Sequence, residues 1–240
     1  MSVTKSVWSA PGFGAYLGST GFSGMALAMQ QLLLSWILIG ILNLPADQVG
    51  VIQALIGIPG IVLMLMGGAS ADRTDARRLL AQIYLIAPIF PVFLLLMEQW
   101  QWLGVTTVTL WGLGMSVVQS YSMPGQQAIL NRVSGTLVQQ GVTIATAIGY
   151  VVQVVGLGLA GQIDRLGITP VLIMQALSLL MAGIMMLRIM PMPVTQASTA
   201  SVSALRGIAD GLRATYRSPV IFDALLINFV SSIFNAGSFV

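Results

Sequence analysis

The 240-residue chain contains no cysteine and no histidine. Without thiols there is no disulfide and no nucleophilic or redox-active cysteine. Without imidazole there is no zinc site built on His or Cys, and no Ser–His catalysis. Charge is nearly as scarce, because Asp, Glu, Lys and Arg make up only 7% of residues, where a soluble domain carries about 25%. Aromatic residues are few, at 8%, and no strict period-2 alternation accompanies them, which argues against an outer-membrane barrel. What remains is apolar: 56% of residues, with a mean hydropathy of +0.90. Such a chain reads as an all-α, polytopic membrane protein. It does not read as an enzyme. A rhomboid-type dyad needs the missing histidine, so Ser134-Gly135 is no nucleophile motif, and an aspartyl protease needs paired intramembrane aspartates that are absent. No cofactor or metal is implied, and the expected partners are a lipid bilayer and a small-molecule substrate rather than a nucleic acid.

A bilayer core of about 30 Å takes roughly 20 apolar residues per helix. Runs of that size fall at 14–42, 48–71, 79–97, 103–123, 137–162 and 168–190, with a further run at 220–240. The first is too long for the apolar part of a cleaved signal peptide, and Lys5 is its only preceding base, so it reads as a transmembrane helix. Short connections make neighbouring helices antiparallel. With a cytoplasmic N-terminus, Lys5, Arg73, Arg77, Arg78, Arg132, Arg188, Arg206, Arg213 and Arg217 lie inside, and Arg165 alone lies outside beside Asp47, Glu98 and Asp164. That bias predicts the orientation, in the cell (inner) membrane.

The chain is expected to divide at 1–190 (a six-helix half), 191–219 (a cytoplasmic linker) and 220–240 (the start of a second transmembrane half). Within the linker, Leu205, Ile208, Leu212 and Tyr216 recur at helical spacing opposite Arg206, Asp210, Arg213 and Arg217, predicting an amphipathic helix in the interface. The seventh run stops at Val240 without a polar flank, which reads as truncation.

The densest charge lies in GGASADRTDARR at 67–78, between two apolar runs. Charges are costly in hydrocarbon, so the chain leaves the membrane there. Gly68 permits close helix approach. Asp72 is expected to accept hydrogen bonds from the amides opening the next helix, and Arg77 and Arg78 to meet anionic headgroups or a partner carboxylate. A similar exit, GLAGQIDR at 158–165, falls on the opposite membrane side. The pair suggests an inverted repeat of three helices plus three.

Gly68, Asp72, Arg73 and Arg77 fit the Gly-x-x-x-Asp-Arg-x-Gly-Arg-Arg loop of the major facilitator superfamily, which the chain resembles. Asp75 in place of Gly is similar to the branch of enterobactin exporters and macrolide-efflux-like proteins. So are SMPGQQAILNRV (122–133), placed after the fourth helix, and GIADGLRATYRSPVI (207–221). The resemblance implies a secondary active transporter working by alternating access, an exporter of a siderophore- or drug-like amphipathic molecule. It also implies that Gly68, Asp72, Arg73, Asp75, Arg77 and Arg78 form a cytoplasmic latch between two halves. Two departures withhold the usual proton-antiport residues: the fourth helix lacks an arginine, and GLGLAG at 156–161 lacks a Gly-Pro pair. The alternative is a half-transporter or a non-transporting membrane assembly protein acting with a second chain, and the expected protein partner is accordingly a missing C-terminal half or that second chain.

No charged residue falls in the middle of any span. The intramembrane polar groups are amides and hydroxyls, whose default role is interhelical hydrogen bonding. In the superfamily, cavity residues come mainly from the first and fourth helices of each half, with help from the second and fifth. That implies a substrate cavity around Gln30, Gln31, Gln119 and Gln153, suited to a bulky, weakly polar solute.

Overall fold

A computed structural model describes residues 6–73 and 75–190, with isolated helical positions at Asp223 and Ile227; of residues 9, 61–62 and 64–73 only the backbone is described. The chain divides into two units, Met1–Ala197 and Ser198–Val240. The expected linker, the amphipathic helix at 203–217 and the seventh run therefore lie outside the described residues, apart from those two positions. The first unit is all helical: no strand occurs among the described residues.

Its helices are α1 (Phe13–Trp36), α2 (Ala46–Arg73), α3 (Ala76–Ile86), α4 (Ile89–Gln99), α5 (Val105–Ser134), α6 (Val138–Ala160), the single turn α7 (Ile163–Leu166) and α8 (Ile168–Leu187). Four stretches are long and apolar enough to cross a bilayer: Phe13–Ile41, Ala76–Gln99, Val105–Leu166 and Ile168–Leu187. The third comprises two crossings. Gly135, at φ +53°, opens a 3-10 turn after which α6 runs back along α5. With α2, whose 28 residues exceed the length required, the described residues supply six crossings.

Two boundaries differ from expectation, both at proline. The third crossing is two helices, because Pro88 has no amide hydrogen to continue the ladder and a turn at Ala87–Pro88 separates α3 from α4. The fourth crossing does the opposite. The sequence places its end near 123, yet α5 continues through Pro124 to Ser134. Its continuation buries Ile129, Leu130 and Val133, and that burial, with neighbouring helices close by, outweighs one lost backbone bond. The segment 122–133 is therefore helical and not a connection after the fourth helix.

Between the helices, small residues and hydroxyls make the contacts. A Cβ at Gly156 would stand 2.8 Å from the Met25 carbonyl oxygen and 3.2 Å from Met25 Cα, so α6 and α1 meet backbone to backbone. Ser19 Oγ donates to Ala182 O at 2.8 Å, joining α1 to α8, and Ser120 Oγ donates to Gly60 O at 2.9 Å, joining α5 to α2. The packing has an exchange pattern: α1 lies on α6 and α8, while α5 lies on α2 and on the α3–α4 crossing. The first crossing thus relates to the fifth and sixth as the fourth relates to the second and third, the arrangement that two inverted triplets produce.

The two ends of the bundle differ in charge. At one end Asp75, Arg77, Arg78, Arg132 and Arg188 gather where α3 begins and α5 and α8 end. At the other lie Asp47, Glu98, Asp164 and Arg165.

Candidate functional site

A cavity of about 620 Å³ opens between α1, α2, α5 and α6. Its walls are set by the helix faces. From α1 come Leu27, Gln30, Gln31 and Leu34; from α2, Gln53, Ile56 and Gly57; from α5, Gln119, Met123 and Gln126; from α6, Thr146, Tyr150 and Gln153. Gln30, Gln31, Gln119 and Gln153, on three different helices, all line this one space. No Asp, Glu, Lys or Arg is among the described residues lining it. Nor, among the described residues, does any group of three His, Cys, Asp or Glu come together that could hold a metal ion.

The glutamines are not equally placed. Gln31, Gln53, Gln119 and Gln153 are exposed to the cavity, while Gln30 and Gln126 are half-buried. Gln53 Nε2 reaches Ser35 Oγ at 3.5 Å, a long contact between α2 and α1. Gln126 Nε2 donates to Ser23 Oγ at 3.0 Å and to the Tyr84 hydroxyl at 2.7 Å, tying α5 to α1 and α3. Behind Gln30 lies the fully buried Gln175 of α8. Its Nε2 donates to Ala26 O at 3.2 Å and lies 3.5 Å from Gln30 Oε1. An uncharged, amide-lined space walled by Leu, Ile and Met binds neutral amphipathic solutes: the apolar walls gain from burial, and the amides satisfy scattered polar groups. It offers no partner to a desolvated charge.

The sequence profile of the transmembrane secretion effector family, within the major facilitator superfamily, matches residues 8–239. The chain belongs to that family. No curated protein and no solved structure matches it. As a secretion effector family member it is a membrane transport protein.

The loop of this family member at 67–78 is only partly described. Gly68, Asp72 and Arg73 fall in the last turns of α2, and their side chains lie outside the described residues. The residue whose side chain caps α3 is Asp75; the side chain of Asp72, expected to accept from the same amides, lies outside the described residues. Asp75 has extended backbone angles (φ −67°, ψ 99°) directly before Ala76, and its side chain accepts from Arg77 N at 3.1 Å. Arg77 Nη2 donates to Leu187 O at 2.6 Å, at the C-terminal end of α8. A guanidinium there satisfies an orphan carbonyl and opposes the negative end of the helix dipole. Arg78 is exposed. At the opposite end of the bundle, the similar exit after α6 holds Asp164, whose Oδ1 accepts from Trp36 Nε1 at 3.1 Å.

Gln126 and Gln53 are cavity residues that the sequence does not single out. Gln53 lies in an apolar run and reads there as one of several interhelical amides. Gln126 is hidden by Pro124: if the helix ends there, a glutamine two residues later falls in a loop. The apolar recurrence of Ile129, Leu130 and Val133 is the signal that the helix goes on.

Proposed function

We propose that this secretion effector family member is a secondary active exporter of a neutral amphipathic molecule, with the cavity between α1, α2, α5 and α6 as its substrate site. The observation that carries this reading is the convergence of six glutamines, and no charged residue, on one space of about 620 Å³ within the bundle. Transport proceeds by alternating access, the two inverted triplets rocking about the cavity. The arginine-rich end faces the cytoplasm and the acidic end faces outward, as the positive-inside rule requires, and the membrane is the cell (inner) membrane. In this reading the loop at 67–78 is a cytoplasmic latch. Asp75 and Arg77 already join the start of α3 to the end of α8, so the loop's geometry responds to movement of those helices. The family's description as secretion effectors supports the outward direction.

Reconstitution tests it. Proteoliposomes of the full chain should accumulate a hydrophobic neutral probe such as a pyrene-labelled uncharged amide with saturation and counterflow. Gln30→Ala and Gln119→Ala should each lower the initial rate several-fold while yield and thermal stability stay near wild type. Wild-type rates in both variants would remove the cavity assignment, and no saturable counterflow in the wild type would remove the transporter reading.

A further inference from the structure

A free glutamine amide presents either a donor or an acceptor, so lining alone says nothing about ligand polarity. Two of the cavity glutamines are not free. Both hydrogens of Gln126 Nε2 are engaged, by Ser23 Oγ at 3.0 Å and Tyr84 OH at 2.7 Å. Ser23 gives its own hydrogen to Thr20 O at 3.2 Å, so toward Gln126 it acts only as an acceptor. With the Ser23 hydrogen so engaged, the flipped amide would face one donor in place of two acceptors, and the orientation with Nε2 on Ser23 and Tyr84 leaves Gln126 Oε1 on the side away from them. Ser23 and Tyr84 are fully buried, which holds the arrangement in place.

Gln30 is oriented in the opposite sense by a longer contact. Gln175 is wholly buried, and the Ala26 carbonyl at 3.2 Å accepts only, so it is Nε2 of Gln175 that faces α1. That nitrogen lies 3.5 Å from Gln30 Oε1. The Gln30 oxygen is thereby turned toward α8, and its NH2 remains for the cavity. Ser23 and Gln30 are seven residues apart on α1, two turns, or about 10 Å at 1.5 Å per residue.

We infer that the cavity is polarised along α1, with Gln30 as a donor and Gln126 as an acceptor, held at α1 positions about 10 Å apart along the helix, and that its ligand is a neutral, peptide-like amide carrying a carbonyl at one end and an N–H donor at the other. This rests on the cavity being the substrate site. Leu27, Ala28 and Met123, also in its lining, cover the apolar middle of such a molecule. Charged termini are excluded, because no lining side chain could pair with them. Gln175 is a positioning residue that acts through Gln30.

A blocked tripeptide has the required reach, since three extended residues span about 10 Å. The probe is tritiated N-acetyl-trileucine amide, bound to the full chain in lipid nanodiscs. Its comparison ligands are the methyl ester, which lacks the terminal donor, and unblocked zwitterionic trileucine. Wild type should bind the amide saturably, the ester about three- to tenfold more weakly, as for one lost neutral hydrogen bond, and the zwitterion not measurably. In Gln126→Leu the amide and ester should bind equally. In Gln30→Leu both should weaken with their ratio unchanged. If Gln126→Leu does not fold, Tyr84→Phe decides: it keeps the ring, releases one of the two bonds that pin Gln126, and should lower the amide–ester ratio. No saturable binding of the amide by wild type overturns the inference, as does a wild-type ratio in the Gln126 variant, or in Tyr84→Phe where that variant decides. Binding with the expected ratios but without counterflow in proteoliposomes keeps the polarised cavity and removes the transport reading. Counterflow with unaltered ratios does the reverse.

Discussion

Single residues settle where charge can sit in this protein. Asp75 and Arg77 stand two positions apart and serve different helices. Asp75 closes the start of α3 through Arg77 N, and Arg77 closes the end of α8 through Leu187 O. Replacing Asp75 by Ala removes the cap and is expected to cost about 1 kcal/mol. Reversible unfolding in mixed micelles should show the midpoint move down, and an unmoved midpoint would remove Asp75 from that role. The charge pattern of the loop was legible in the sequence, because a dense charged cluster between apolar runs has few other readings. That Asp75 caps α3 was not, because the cap position depends on where α2 stops, which is Arg73, beyond the last apolar residues of the run.

At the scale of elements, helix contacts rest on missing side chains as much as on present ones. Gly156 brings α6 against the backbone of Met25 in α1. In Gly156→Val the new carbons would meet main-chain atoms that cannot rotate away, at a cost of about 1–3 kcal/mol. In Gly158→Val nothing lies within 4 Å of the added Cβ, so the same substitution two residues on should be near neutral. Parallel thermal unfolding of the two variants checks this, and equal losses would contradict a backbone contact at Gly156. The existence of each crossing was readable from hydropathy, since about 20 apolar residues in a row have one common use. The behaviour of its prolines was not. Pro88 breaks a helix and Pro124 does not, and the difference lies in the packing of the residues after each. Beyond Pro124 a buried apolar face and Gln126 hold the backbone helical, information carried by α1 and α3 rather than by the local sequence. The same long-range dependence hid Gln126 from the cavity, whereas Gln30, Gln31, Gln119 and Gln153 sit within plain apolar runs and stood out.

For the whole molecule, segregation of charge between the two ends is the strongest regularity. The natural absence of cysteine makes it testable without background. Thr136, in the turn between α5 and α6, and Gln162, just past α6, are both exposed and lie at opposite ends. In intact cells a membrane-impermeant maleimide should label Gln162→Cys at once and Thr136→Cys only after permeabilisation. The reverse pattern would invert the proposed orientation.

The same segregation has an electrical consequence. Between residues 6 and 190 every Asp, Glu, Lys and Arg lies at or beyond a helix end of the bundle, and none sits within the apolar thickness. A membrane voltage acts on charge that moves through its field, at about 2.3 kcal/mol per elementary charge per 100 mV. In the proposed mechanism, rocking these six crossings carries almost none, and a neutral ligand adds nothing, so the occupied and empty bundles should reorient at rates indifferent to voltage. In that mechanism any dependence of transport on membrane potential arises from groups other than these six crossings and the proposed ligand.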